Sequence, residues 1–294
     1  MTKPSITYGH GWLDDCNKLT GLTYGDWTET DTGGLLSSAV AYDDYFILTR
    51  SAGATEAYLS YPNEAGANNL SLSSTTYTKF FYRYLTSGST KAKIVLVFSD
   101  ASTQTILAES SASPYTCASV TITTGKTIDH VRLYANTGAG TAQYDFALIC
   151  KGIFTFPNTL YGKRFIPAPR NAIIEIPGRL GDVIQHLGAK SARFEVSCNL
   201  DRGTWTRTGD TVKGQVFDDI IHNSYTEAFQ WLTTGMGTTI AEHFYQRQFK
   251  VVLDGEPVFR EEDNKHILDL VFREYRRSSG SSDESYVSRF GLNL

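Results

Sequence analysis

Paired carboxylates are the residues of this sequence with the most evident catalytic potential. They stand at Asp14-Asp15, at Asp43-Asp44 and at Glu261-Glu262-Asp263. Glycoside hydrolysis needs two carboxyl groups that face each other across a cleft, but acidic pairs are also ordinary residues of solvated loops. Because nothing in their spacing forces two of them together, a catalytic role is the weaker hypothesis.

The remaining motifs also argue against catalysis. The six histidines are scattered singly, as surface or core histidines usually are. The Gly-Ala-Gly at 138–140 lies between two predicted strands, and the "GRLGD" at 178–182 lacks the Lys-Ser/Thr end of a phosphate loop. We therefore expect no catalytic residue, no metal and no cofactor, and the chain is predicted not to be an enzyme.

Aromatic residues offer a different chemistry, because flat rings can stack on the apolar face of a sugar. The chain has 17 Tyr and 16 Phe. Trp27 lies in the polar stretch "YGDWTETDTGG", and it is the first candidate for carbohydrate binding, followed by Tyr42, Tyr45 and Tyr58. The alternative is that these rings fill the core of a β-sandwich, which is the commoner role of aromatic side chains.

The composition limits the class of protein. With 294 residues, of which 41% are hydrophobic and 20% charged, the chain can bury a core. A net charge of −4 argues against binding nucleic acid through a basic face, and the absence of a long apolar run predicts no membrane insertion. The four cysteines form no Cys-x-x-Cys pair and no signal peptide is evident, which fits assembly in a cytoplasm.

Two stretches that differ in residue composition and pattern predict two domains. Residues 1–151 contain short β-favouring runs about ten residues apart, such as "YFILTR" at 45–50 and "KAKIVLVF" at 91–98, which predict a jelly-roll β-sandwich. Residues 152–278 begin with a Pro-rich linker and read as strands, one helix at 215–235, a hairpin with Asp254-Gly255 as its turn, and a last strand. Residues 279–294 are expected to form a C-terminal arm. The predicted fold class is mainly β.

The first half resembles carbohydrate-binding or galactose-binding jelly rolls. The resemblance is carried by "GWLDDCNKLTG" at 11–21, "YFILTRSAGATEAYLSY" at 45–61 and "IDHVRLYANTGAGTAQYDFALI" at 128–149. It implies an outward-facing domain that binds glycans of a host surface. It also implies a structural calcium near Asp145, with Asp15 as a partner.

The second half resembles tail components of tailed viruses, namely the fold of tail-tube and distal tail proteins. The resemblance is carried by "IEIPGRLGDVIQHLGAKSARFEVSCNL", the predicted helix, and "FKVVLDGEPVFREEDNKHILDLVFREY". It implies a split barrel or β-sandwich with one flanking helix, assembled into a hexameric or trimeric ring. The "GRLGDVIQHLG" segment would then be an assembly loop, whose subunit-interface candidates are Gly178, Arg179, Gly181, Asp182, Gln185 and His186.

These resemblances together predict a structural virion protein of a phage tail. The first hypothesis is a distal tail or baseplate protein that forms a ring at the tail tip. Its partners would be the tail tube, the baseplate hub and host glycans, with DNA only passing through the lumen and with assembly in the host cytoplasm. The alternatives are a major tail-tube protein with a decoration domain and, less favoured, a tail-associated glycan hydrolase or a lectin.

Overall fold

A computed structural model describes twelve segments of the chain. They are residues 5–14, 16, 19, 27–31, 33–41, 45–53, 56–113, 116–155, 164–174, 183–199, 230–233 and 248–274. Every regular element in these segments is a β-strand, so the prediction of a mainly β chain is confirmed. Among the same residues there is no helix of the length and apolar character that a membrane crossing would need.

The chain divides into two compact units. The first, called here the sandwich unit, contains residues 10–152, and the second unit contains residues 1–9 and 153–278. Among the described residues, 5–9 therefore group with the second unit, whereas the sequence places them with the first domain. Within the described residues the sandwich unit is thus an insertion in the chain of the second unit.

Two antiparallel sheets form the sandwich unit. Sheet I has the order β3-β4-β12-β7-β10, and sheet II has the order β2-β5-β11-β8-β9 with β6 beside β11. The strands of sheet I are β3 (Leu36–Ala41), β4 (Tyr45–Arg50), β7 (Lys79–Gly88), β10 (Thr116–Thr121) and β12 (Gly140–Thr155). Those of sheet II are β2 (Thr28–Asp31), β5 (Ala57–Tyr61), β6 (Leu72–Ser73), β8 (Lys91–Phe98), β9 (Thr103–Ser110) and β11 (Thr127–Asn136).

The core of the sandwich unit is formed by the inward positions of both sheets. Phe46, Phe80 and Tyr144 come from sheet I, and Leu59 and Ile94 come from sheet II. Each of these side chains is at most 1% exposed. The alternation of apolar and polar residues in the sequence is therefore the alternation of inward and outward side chains, as expected for a two-layer β domain.

The described part of the second unit is one antiparallel sheet. It has the order β15-β16-β18-β14-β13, and β17 lies beside β18. Its strands are β13 (Arg164–Ile174), β14 (Val183–Asn199), β15 (Gln230–Thr233), β16 (Gln248–Leu253), β17 (Val258–Glu262) and β18 (Lys265–Glu274). The first residues of β1 (Ser5–Asp14) join the sheet, because Ser5 and Ile6 pair with Thr233 and Leu232.

The predicted hairpin turn lies at a different place. β16 and β17 both pair with β18, so Asp254-Gly255 interrupts one long edge instead of joining two paired strands. The tight turn is Asp263-Asn264 between β17 and β18, where both residues have positive φ, 51° and 58°. Asp and Asn tolerate this conformation, and two positive φ angles give the backbone twist that a two-residue hairpin needs.

The predicted helix also needs a correction. Its last residues, Gln230–Thr233, form β15, paired with β16. Leu232 therefore belongs to a strand, because its neighbours across the sheet outweigh the helical spacing of the apolar residues. The rest of the predicted helix, and the arm at 279–294, lie outside the described residues.

Candidate functional site

Strand β11 is the central strand of sheet II, and its outward face is polar. Ile128, Val131, Leu133 and Ala135 belong to the core. A β-bulge at Asp129 changes the phase of the strand, so that Ile128 and Val131, three positions apart, can both point inward. The outward positions are His130, Arg132, Tyr134 and Asn136. His130, Tyr134 and Asn136 are each at most 9% exposed, whereas Arg132 is half-buried, so Arg132 is the residue of these four that a ligand can reach most easily.

Two tyrosines form the aromatic part of this face. Tyr58 on β5 lies directly opposite Tyr134 on β11, and Tyr134 lies opposite Lys93 on β8. The ring centroids of Tyr58 and Tyr134 are 4.8 Å apart, with an angle of 43° between the ring planes. Tyr134 is only 2% exposed, so it forms the floor of the face, while half-buried Tyr58 is the accessible ring.

Two cations are held against these rings by carboxylates. The Arg132 guanidinium lies 4.8 Å from the centroid of the Tyr58 ring, and the Lys93 ammonium lies 4.7 Å from that of Tyr134. Glu64 accepts two hydrogen bonds from Arg132, at 2.5 and 2.8 Å, and Glu56 accepts one from Lys93 at 2.5 Å. We call Tyr58, Tyr134, Arg132, Lys93, Glu56 and Glu64 the tyrosine–cation cluster.

The electrostatics of the cluster follow from this pairing. The hydrogen bonds to Glu64 raise the pKa of Arg132, and burial raises the pKa of Tyr134. At neutral pH the cluster therefore has two positive and two negative charges and no net charge. Glu64 accepts from two of the five N–H donors of Arg132, and the side chain of Tyr134 is a further hydrogen-bond partner, so up to two donors remain for a ligand or for water.

This arrangement suits binding better than chemistry. Both carboxylates are bound to cations, Glu56 to Lys93 and Glu64 to Arg132, so their charge is already paired. No group of three or more metal-ligating side chains occurs in the described segments. What the face offers is one half-buried ring, Tyr58, with fixed donors and acceptors beside it, which is the pattern of a site for a polar, uncharged ligand.

Trp27, the first carbohydrate-binding candidate, lies in the core. It is 6% exposed, its ring centroid lies 5.3 Å from that of Phe46 and 5.2 Å from that of Tyr61, and its indole N–H donates to Asp14 at 2.9 Å. Neighbouring rings cover it, so the structure corrects the prediction that Trp27 stacks on a sugar. The polar stretch around it misled the prediction, because one buried carboxylate is enough to satisfy the indole.

The other three aromatic candidates have different outcomes. Tyr58 is part of the tyrosine–cation cluster. Tyr45 is half-buried at the start of β4, in the other sheet, where it pairs with Ala41. Tyr42 lies outside the described residues. The structure therefore brings one of the four predicted residues to the site.

The other members of the cluster were missed, although the sequence contains a signal for them. In "DHVRLYAN" the residues at alternate positions, His130, Arg132, Tyr134 and Asn136, are all polar. Together with the apolar residues between them, this pattern marks a strand with a polar outer face. The partners Glu56, Glu64 and Lys93 come from distant segments, and only the pairing of strands brings them together.

Four of the six predicted subunit-interface residues lie outside the described residues. Gly178, Arg179, Gly181 and Asp182 are not among the described residues. Gln185 and His186 lie in β14, where they pair with Ala172 and Asn171 of β13. The segment from Val183 onward is therefore a strand, which corrects the prediction that "GRLGDVIQHLG" is a loop throughout.

Asp145, expected near a structural calcium, has a different partner. Its carboxylate is 1% exposed and accepts a 2.7 Å hydrogen bond from the guanidinium of Arg83. An arginine at this distance neutralises the charge that would attract a cation. Asp15 lies outside the described residues. The described geometry therefore supports an ion pair at this position.

Comparisons with known proteins give likeness of fold only. No protein-family model matches the chain, and no curated protein matches it. Solved structures of family 29 carbohydrate-binding modules are similar over about half of it. A mutant module in complex with cellulohexaose is 10% identical, with a TM-score of 0.35, over 51% of this chain and 93% of its own.

Two further structures of the same kind give similar values. A mutant complexed with mannohexaose is 12% identical, with a TM-score of 0.33, over 51% of this chain and 92% of its own. A third family 29 mutant is 13% identical, with a TM-score of 0.34, over 47% of this chain and 91% of its own. The similarity to these modules extends over about half of the chain.

Proposed function

We propose that the sandwich unit binds a neutral glycan on the outward face of sheet II. The tyrosine–cation cluster is the observation that supports this. An uncharged polyhydroxyl ligand can hydrogen-bond to the free donors of Arg132 and Lys93 and to the carboxylates of Glu56 and Glu64 without separating the ion pairs. An acidic ligand would have to compete with two carboxylates that already hold the cations.

The test is a glycan array followed by titration calorimetry on the full chain. Cellulohexaose and mannohexaose, the oligosaccharides of the complexes named above, are the first ligands to titrate. For any glycan that binds, Tyr58→Ala and Lys93→Met should weaken the affinity about tenfold or more, since each removes contacts worth about 1.4 kcal/mol.

Lys126→Met is the matched control for Lys93→Met. Lys126 also forms an ion pair, with Asp100 at 3.0 Å, and also lies against a ring, 5.1 Å from the centroid of Phe98. It stands next to the opposite end of β11 from Tyr134. If wild type and Lys93→Met bind the glycan with equal affinity, the glycan binds at another place on the protein. If no glycan on the array binds, the proposal is wrong.

For the second unit we propose a ring-forming structural role in the tail of a virus, most simply as a distal tail or baseplate protein. Support comes from the resemblance of residues 152–278 to tail components and from the strand-rich character of the described part. A tail-tube role remains the alternative. On this proposal the protein has no catalytic activity of its own and is part of the virion.

The mass of the purified native protein tests this second proposal. Native mass spectrometry should show a closed ring of six, or of three, copies, since head-to-tail contacts form a ring when the rotation between neighbouring copies closes. A tube subunit would instead form stacked rings of unlimited length. A protein that stays monomeric up to ~100 μM, far above the dissociation constants of stable assemblies, would refute the ring.

A further inference from the structure

Strand β17 is an exposed strand of the second unit. All five of its residues, Val258–Glu262, are exposed, and among the described residues β18 is the strand that pairs with it. Val258 is 53% exposed and Phe259 is 60% exposed, and they are the large hydrophobic side chains found exposed in the described part of the chain. Exposed apolar side chains on an edge strand mark a surface that proteins normally cover or protect.

The register of β17 shows which of its backbone groups point away from β18. The two-residue turn at Asp263-Asn264 closes on Glu262, which therefore belongs to a hydrogen-bonded pair with β18. Pairs with and without hydrogen bonds alternate along an antiparallel ladder, so Phe259 and Glu261 belong to pairs without them. The N–H and C=O groups of Phe259 and Glu261 therefore face the outer side of the edge, where they can bond to an added strand.

Phe259 and Glu261 also present their side chains on one face of β17, because alternate residues of a strand point to the same side. Glu261 forms no ion pair with any residue that the structure describes. On the opposite face, the guanidinium of Arg260 lies 2.6 Å from Asp269 and also contacts Glu262, so its charge is compensated. An added strand therefore meets one exposed aromatic side chain and, two residues further along, one uncompensated carboxylate.

The charge of this edge argues against pairing with the same edge of a second copy. The segment Asp254–Lys265 has five carboxylates and two cations, so two such edges repel each other. An antiparallel pair of β17 strands that uses the outward N–H and C=O groups of both Phe259 and Glu261 also places Arg260 directly opposite the Arg260 of the other copy. Like charges directly opposite each other destabilise a ladder. A basic partner fits this edge better.

From the outward backbone groups, the aromatic side chain and the carboxylate, we propose that β17 binds an extended strand of a partner protein in which Lys or Arg stands two residues before an apolar side chain. In antiparallel pairing, the commoner arrangement of strands, the basic side chain lies opposite Glu261 and the apolar side chain lies opposite Phe259. Hydrogen bonds to the main chain of these two residues supply the affinity. The inference concerns a second protein and does not depend on the ring-forming role proposed above.

Three peptides test the proposal by NMR titration of the full chain. The first, acetyl-TTTKTFTTT-amide, has the predicted order. The second has Glu in place of Lys, and the third carries N-methyl groups on the backbone of Lys and Phe, whose N–H groups would face β17. The amide signals of Phe259 and Glu261 should shift with the first peptide and saturate with a dissociation constant of about 1 mM or lower. The other two peptides should bind at least about fivefold more weakly.

Charge reversal on β17 gives the matching variants. Glu261→Lys should bind the Glu peptide better than the Lys peptide, a change of preference that simple misfolding does not produce. Glu262→Lys is the matched control, because it makes the same charge change on the opposite face of the strand, and it should keep the preference for the Lys peptide.

Three outcomes would overturn the proposal. One is equal binding of all three peptides to the wild type, and another is no binding of the first peptide up to about 10 mM, a concentration well above the expected dissociation constant. The third is self-association of the wild type that Glu261→Lys abolishes, because the strand that covers β17 would then come from a second copy of the chain.

Discussion

The hydroxyl of Tyr144 donates to the backbone carbonyl of Tyr134 at 2.6 Å and thereby joins the two sheets of the sandwich unit behind the tyrosine–cation cluster. Tyr144 belongs to β12 of sheet I, and Tyr134 belongs to β11 of sheet II. The same hydroxyl accepts a hydrogen bond from the backbone N–H of Lys93 at 3.3 Å. One buried phenol therefore fixes the backbone of two cluster residues from inside the core.

Replacing Tyr144 by Phe should lower the free energy of unfolding by about 1–2 kcal/mol, because buried backbone groups lose their partner. Burial raises the pKa of Tyr144, so the hydroxyl stays protonated and remains a donor throughout the ordinary pH range. Urea unfolding measures the loss. Tyr84→Phe is the control, since its hydroxyl donates to Ser110 at 3.0 Å, away from the cluster. An equal effect of both variants on glycan affinity would contradict the positioning role of Tyr144.

Replacing Arg132 by Lys should weaken glycan binding about tenfold while changing stability by less than ~1 kcal/mol. Lysine keeps the positive charge but loses the planar fork that bonds Glu64 twice and lies over Tyr58. Calorimetry and thermal unfolding of the same sample separate the two effects. If Arg132→Lys binds glycan as wild type does, the charge alone matters and the fork geometry is not used.

Acid should destabilise the fold through His10. Burial lowers the pKa of His10 from 6.5 to about 4. The unfolded chain therefore binds a proton near pH 6.5, whereas the folded chain does so only near pH 4, so stability is full above pH 6.5 and falls as the pH drops towards 4. The loss is about 1–3 kcal/mol. His10→Gln should flatten this part of the stability profile, as followed by urea unfolding between pH 4 and pH 7.

The thiol of Cys150 should resist alkylation in the folded protein. The residue is 0% exposed, and burial raises the pKa of its thiol to about 12, so little reactive thiolate exists at pH 8. Iodoacetamide should label the Cys150 peptide only after denaturation in urea, as read by mass spectrometry of the digested protein. Rapid labelling under native conditions would mean that β12 opens at this position.

The strands of the sandwich unit could be predicted from the sequence because their information is local. In "KAKIVLVF" and "HVRLYAN" the alternation of apolar and polar residues shows which side faces the core. The cluster could not be predicted in the same way. Tyr58, Lys93 and Arg132 are far apart in the chain, and their neighbourhood depends on the register of β5 and β8 against β11. Register is a property of paired strands, which a single strand's sequence does not determine.

The errors in the second half have a related cause. The Asp254-Gly255 pair has the ordinary residues of a hairpin turn, but β16 and β17 lie end to end against β18, and the turn falls at Asp263-Asn264. Both Asp254-Gly255 and Asp263-Asn264 have residue types that favour a tight turn. The pairing of β17 with β18 places the turn at Asp263-Asn264. Likewise, Leu232 fitted a helical stripe but pairs with Phe249 in a sheet. In each case tertiary contacts outweighed the local preference.

The insertion of the sandwich unit makes a deletion experiment informative. Joining Gly9 to Ile153 through a flexible Gly/Ser linker removes residues 10–152 and keeps the pairing of Ser5 and Ile6 with β15. This shortened chain should still unfold cooperatively and self-associate like the full chain, while losing all glycan binding. Deleting residues 1–151 instead also removes the strand beside β15, so its unfolding midpoint should be lower by several degrees. The two deletions compared by calorimetry and native mass spectrometry therefore test where the second unit begins, and equal behaviour of both would show that residues 1–9 contribute nothing to it.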